Sequence, residues 1–247
     1  MTEIYTDAEY LRGYPKGMER NFWNLSRNAL VMDLLRPLSG ERDLVMDVGC
    51  GAGFFVAYGR DCGFNIRGVE LGNPVIEPDL KKAIDTNTDV FELDAKVKAQ
   101  IRVVLLLDVI EHIDQRKQFL LRLYQELPNC EYLLLTVPAR AEMWSNYDEY
   151  WGHHLRFDRP QLAAELSAGG YRVIESSYCF HWLYLAAMLL KLLRIKRKVE
   201  AAAPARNPLV LSAHWSLGWL TRLESKIIPG FVAGSSIICV AVRTSGK

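Results

Sequence analysis

Charge of one sign is scarcely in excess in this 247-residue chain: 30 Lys and Arg against 29 Asp and Glu leave a formal +1. A protein that coats nucleic acid or holds acidic polymers carries a larger imbalance, so no nucleic-acid partner is expected. Cysteine is also scarce: Cys50, Cys62, Cys130, Cys179 and Cys239 are odd in number, scattered, and never paired as C-x-x-C. That pattern excludes a disulfide framework and a structural zinc site, and it implies a reducing compartment. No uninterrupted apolar run approaches the roughly 20 residues that cross a bilayer. The opening "MTEIYTDAEY" carries acids where a signal peptide carries positive charge followed by an apolar core. A cytoplasmic protein is therefore expected.

Half of the residues are apolar, enough for one sizeable core. Short apolar runs alternate with longer helical patterns: "LVMDV" (44–48), "NIRGVEL" (65–71), "DVFEL" (89–93), "IRVVLLLDV" (101–109), "EYLLLTV" (131–137), "YRVIESSY" (171–178) and "SSIICVAV" (235–242). The rhythm predicts an α/β, doubly wound, Rossmann-like sheet of seven strands, mostly parallel with an antiparallel last strand. Helices are expected over about 17–36, 54–62, 115–127 and 159–168, the last capped by Asp158 and closed by Gly169 and Gly170. Nearly sixty residues separate the last two strands, with an apolar-then-basic helical run (181–198), an Ala/Pro-rich hinge and a second helical run near 212–228. The expected organisation is a single domain over 1–247. It comprises a helical cover (1–40), a core (41–180), a helical cap insertion (181–230) and the last strand (231–247).

The stretch "LVMDVGCGAGFF" (44–55) joins a strand to a helix through Gly49, Gly51 and Gly53. Such a turn lets a ligand approach backbone N–H groups at a helix N-terminus. Alone it is a weak signal, since glycines also serve simply to turn the chain. Three acids strengthen it: Glu70 ends the second strand, Asp94 follows the third segment, and Asp108 ends the fourth. In a doubly wound sheet such strand ends converge on one crevice.

In order and spacing, "MDVGCGAG", "GVEL", "LDA" and "LLLDVIEHI" resemble the cofactor motifs of class I S-adenosylmethionine-dependent methyltransferases, over roughly residues 20 to 180. Further on, "GHHLRFDRPQLAAELSAGGY" resembles the segment after the fifth strand in the generic methyltransferase-domain branch. The resemblance implies a methyltransferase that uses S-adenosylmethionine and releases S-adenosylhomocysteine. It assigns Gly49, Gly51 and Gly53 to the methionine and ribose, with Cys50 at a variable loop position and Asp47 ordering the loop or meeting the amino group. It assigns Glu70 and Leu71 to the ribose, Asp94 and Ala95 to the adenine edge, and Asp108 and Val109 to the methionyl side. Arg27, on the N-terminal helix, would meet the cofactor carboxylate. Two other readings stand beside it. A nicotinamide dinucleotide also uses a glycine loop and a later acid, but Phe54 stands where that motif needs its third glycine. A protein that binds the cofactor without catalysis would lack a base facing an acceptor cavity.

The loop 138–158 leaves the fifth strand on the cofactor side of the sheet and is rich in acid/base and aromatic groups: Tyr147, Asp148, Tyr150, His153, His154 and Arg156. His153 or His154 is the expected base, tuned by a nearby carboxylate, with Tyr150 and His112 as further catalytic candidates; helix capping is the competing role for His112. No metal is expected, because neighbours such as His153 and His154 on an extended segment point to opposite sides. The 181–198 helix carries Lys191, Arg194, Lys196, Arg197 and Lys198 at its end. It reads either as an interfacial helix at an anionic membrane or as a packed helix with a solvated basic end. The acceptor is accordingly expected to be a small molecule or a lipid-linked glycan, methylated at oxygen, with carbon and nitrogen as the alternative acceptor atoms.

Overall fold

In the computed structural model, residues 6–196, 199 and 203–244 are described; the expectations for Arg197 and Lys198 lie outside them. A mixed seven-stranded sheet has the order β3-β2-β1-β4-β5-β7-β6. The strands are β1 (Leu44–Val48), β2 (Ile66–Glu70), β3 (Ile84–Thr86), β4 (Ile101–Leu107), β5 (Tyr132–Pro138), β6 (Tyr171–Cys179) and β7 (Ser236–Arg243). The first five run parallel. β7 lies antiparallel between β5 and β6, so β6 runs in the sense of β5 and also ends on the crevice side.

Alternation along the strands sorts the core onto two faces. Met46, Val104 and Leu106 pack with Leu120 and Leu123 of α5 (Arg116–Glu126) and with Leu162 and Leu166 of α7 (Arg159–Ala168). Val45, Val103 and Leu105 pack on the other face with Val31, Met32 and Leu35 of α2 (Phe22–Leu35) and with Phe55 and Val56 of α3 (Phe54–Asp61). Both faces of β1 and β4 are covered, which is why these strands are almost uniformly apolar.

The third strand needs correction. The segment 89–93 is not the third strand: β3 is the short Ile84–Thr86, and Val90–Glu92 is a 3-10 turn. Asp89 accepts from the Phe91 N–H at 3.1 Å while Glu92 accepts from the Asp89 N–H at 3.2 Å. This reciprocal cap starts a helical turn instead of extending a strand. The N-terminal cover is two helices, since α1 (Asp7–Gly13), capped by Thr6 and Glu9, precedes α2. The insertion forms α8 (His181–Leu192) and α9 (Pro208–Ile227), but it covers less of the crevice than expected. Arg222 of α9 pairs with Asp33 of α2 at 2.6 Å, and only Leu183 of the insertion lines the central cavity among the described residues.

Candidate active site

The C-terminal ends of β1, β2 and β4 open onto a cavity of about 500 Å³, within the range of small-molecule sites. The strand-to-helix turn after β1 passes through Gly49 and Gly51 with φ of 72° and 53°, a region that side chains disfavour. A Cβ at Gly51 would strike the Tyr14 ring, and one at Gly49 would meet Val109 at 2.9 Å. Both glycines are therefore required by close approach as well as by the turn. Gly53 follows as the N-cap of α3.

Glu70 is buried at the end of β2 and organises this corner. Its carboxylate accepts from the Gly51 N–H at 2.7 Å, the Tyr10 hydroxyl at 2.8 Å and the Gly72 N–H at 3.3 Å. Asp47, inside β1, is almost fully buried and has one carboxylate oxygen with no hydrogen-bond partner. Burial raises its carboxyl to about 7, with the Arg27 charge opposing and Glu70 adding to the rise. Asp108 sits just past β4 with φ 60° and pairs with Arg27 at 2.9 Å; the Arg27 guanidinium also lies 4.8 Å over the Trp23 ring. Cys50 is buried, and burial pushes its thiol well above the usual range, so it is no nucleophile.

Of the residues expected at the cofactor, Arg27, Asp47, Gly49, Cys50, Glu70, Leu71, Asp108 and Val109 line this cavity. Gly51 and Gly53 shape the turn behind the lining without entering it, Gly51 through its N–H on Glu70; Asp94 and Ala95 do not line it either. Both are exposed, and Asp94 caps the short helix α4 (Ala95–Lys98) by accepting from the Lys96 N–H at 2.7 Å. Because β3 ends earlier than expected, the residues that follow it into the cavity are Thr88, Asp89 and Val90. The D-x-x-E cap at 89–92 was the available signal for them.

The acceptor side divides sharply. His153 lines the cavity with His112, Tyr147, Trp151 and Arg156, whereas His154 and Tyr150 are exposed and outside it. His154 turns to Asp114 at 3.1 Å, and Tyr150, which ends the short helix α6 (Asn146–Tyr150), rests its ring against Trp151. Asp148, with no exposed side-chain surface, contacts His153 Nδ1 at 2.9 Å and accepts from Arg156 Nε at 2.8 Å. Burial would raise its carboxyl, but the His153 hydrogen bond and the Arg156 charge hold it below the ordinary range. An ionised carboxylate only accepts, so His153 donates from Nδ1, and Nε2 is the nitrogen left for the cavity side. His112 meets the His153 ring edge-on at 5.0 Å between centroids. Burial and the neighbouring imidazole lower its pKa to about 4. Glu111, unremarked in the sequence, is fully buried beside them.

Residues 23–176 match the family model described as "Methyltransferase domain". Among curated relatives, a ubiquinone biosynthesis O-methyltransferase of Rickettsia canadensis is 24% identical over 151 residues, covering 53% of this chain and 64% of that one. Its counterpart in Rickettsia bellii is 30% identical over 88 residues, covering 34% and 37%. The matched region thus spans less than two thirds of either relative. Among solved structures, a Burkholderia thailandensis 1,6-didemethyltoxoflavin-N1-methyltransferase with bound 1,6-didemethyltoxoflavin and S-adenosylhomocysteine superposes with TM-score 0.53 at 17% identity, covering 99% of this chain and 93% of that one. A Haemonchus contortus phosphoethanolamine N-methyltransferase in complex with S-adenosyl-L-methionine gives 0.56 at 16% identity, covering 98% and 61%. These likenesses show the fold. With the family model matched from α2 to β6, around the crevice where the strand-end carboxylates meet, the chain belongs to the class I S-adenosylmethionine-dependent methyltransferases.

Proposed function

We propose that the protein methylates an oxygen atom of a small or lipid-linked acceptor held between the strand ends and the loop 138–158. The observation that carries this reading is the single cavity shared by Glu70, Asp47 and Asp108 on one side and the Asp148-oriented His153 on the other. S-adenosylmethionine, when bound, supplies an electrophilic methyl group on a sulfonium. The residues present suit it: beside its three donors Glu70 has a lone pair left for a ribose hydroxyl, and the unpartnered Asp47 oxygen is placed for an ammonium group. Thr88, Asp89 and Val90 flank the adenine space, replacing Asp94 and Ala95 in that role. His153 Nε2 faces the acceptor and takes its hydroxyl proton, while Trp151 and Tyr147 wall the pocket. The partial match to O-methyltransferases of ubiquinone biosynthesis supports oxygen as the acceptor atom. A cofactor-binding protein without catalysis would have no reason to keep an oriented imidazole in the cavity.

Asp47 gives this reading a pH signature. Its folded pKa is raised, so the unliganded protein loses stability as pH climbs from the unfolded carboxylate range to about 7. A cationic amino group favours the ionised form. S-adenosylhomocysteine affinity is therefore expected to rise by up to about tenfold per pH unit below the Asp47 pKa and to level off above it. Calorimetric titration across that range checks this, and Asp47→Asn should flatten the profile.

The lipid-linked alternative rests on the insertion. Twelve of the sixteen exposed large hydrophobics among the described residues fall between 185 and 232, including Leu189, Leu192, Trp215 and Trp219. Arg194 and Lys196 stand beside the end of α8. No helix of the described residues is long and apolar enough to cross a membrane, but this face suits the interface of an anionic bilayer. Co-sedimentation with phosphatidylglycerol vesicles is expected for the wild type. It should fall several-fold when Trp215 and Trp219 are both replaced by serine, and equal binding to phosphatidylcholine vesicles would remove the electrostatic part of the proposal.

A further inference from the structure

We infer that Glu111, His112 and His153 form a binding site for one divalent cation of borderline softness, such as Zn²⁺ or Co²⁺, in the wall of the acceptor pocket. Their donor atoms lie within 4.8 Å of one another, and all three residues line the same cavity. Two imidazoles and a carboxylate are a ligand set for such cations that leaves positions open for water or a substrate oxygen.

Glu111 supplies the second, independent observation. Its side chain is 0% exposed, yet neither carboxylate oxygen has a hydrogen-bond partner from another residue. A buried carboxylate in that state costs several kcal/mol unless something compensates it, and a cation between it and the two imidazoles would do so. The outer contacts fit the same role. His153 is held through Nδ1 by Asp148, and the His112 ring is held by a hydrogen bond to the backbone of Gly152. Metal-ligating histidines are oriented by an outer carboxylate or carbonyl in this way. The chain supplies the three ligands from two places, the turn after β4 and the loop after β5, so the site exists only when the sheet has brought them together.

Resting on the methyl-transfer reading, the cation would take the acceptor hydroxyl as a further ligand and acidify it, the proton leaving to solvent; His153 then holds the cation in place of taking the proton itself.

The test is titration of the metal-stripped chain with Co²⁺, followed by visible absorption and by thermal shift, with S-adenosylhomocysteine binding measured on the same samples. One Co²⁺ per chain is expected, with ligand-field bands and a raised midpoint. Glu111→Gln, His112→Ala and His153→Ala should each abolish the bands, and Asp148→Asn should weaken binding by about 10–100-fold, whereas His154→Ala should leave it unchanged. Absence of stoichiometric Co²⁺ binding to the wild type overturns the site, as do bands that survive all three ligand substitutions or vanish in His154→Ala. A chain that binds S-adenosylhomocysteine but not Co²⁺ loses the cation and keeps its assignment as a methyltransferase. One that binds Co²⁺ but not S-adenosylhomocysteine loses the methyl-transfer reading alone.

Discussion

Replacing Glu70 with alanine is expected to weaken S-adenosylhomocysteine binding by about 100-fold, close to 2.7 kcal/mol. The magnitude follows from one ribose hydroxyl donating to the acceptor site that Tyr10, Gly51 and Gly72 leave open, a bond to a carboxylate contributing about 1.5–3 kcal/mol. Glu70 also ties the Gly51 N–H, the Gly72 N–H and the Tyr10 hydroxyl together, so the substitution loosens both the glycine turn and its α1 cover. Glu70→Gln separates the two effects, because the amide retains an acceptor for the backbone and loses the charge. Calorimetric titration of both variants, with NAD as a control ligand, provides the check. Tight NAD binding by the wild type would revive a dinucleotide reading that the Phe54 position argues against.

The second large effect falls on turnover. His153→Ala should lower kcat by about 10²–10⁴-fold, the usual range for loss of a proton-handling group, while leaving S-adenosylhomocysteine affinity within a few-fold of wild type. His154→Ala should change neither, since that ring turns outward to Asp114. The contrast between adjacent residues makes the test discriminating. Loss of activity in both variants would point to collapse of the 138–158 loop. Undiminished turnover in His153→Ala would remove the residue from the chemistry, whether it acts as base or as ligand.

Much of the crevice could be read from local sequence. Strand ends marked by Asp47, Glu70 and Asp108 are short-range features: an apolar run, then an acid, then a turn. What local pattern cannot supply is which side a neighbouring residue faces in an irregular segment. His153 and His154 were equivalent as letters, and the hydrogen bonds of Asp148 and Arg156 are what bring one of them inside. The third strand falls at 84–86 and not at 89–93 because, although "DVFEL" has strand-like composition, Asp89 and Glu92 form a helical cap; the end-group chemistry outweighed the propensity. Glu111 was passed over for a different reason. Its burial depends on β5 and on the loop between β5 and α7, whose His154 N–H bonds the Glu111 carbonyl at 2.9 Å, and neither is encoded near residue 111.

The central claim is that the strand-end crevice holds adenosine against Glu70 and directs the transferable methyl group toward His153. A crystal structure of the chain with S-adenosylhomocysteine tests it most directly. The account predicts a ribose hydroxyl on the Glu70 carboxylate, adenine beside Asp89 and Val90, the amino group at Asp47, and the sulfur facing the His112–His153 pair. Ligand density anywhere else in the molecule, with Glu70 still engaged only by Tyr10 and backbone amides, would contradict it.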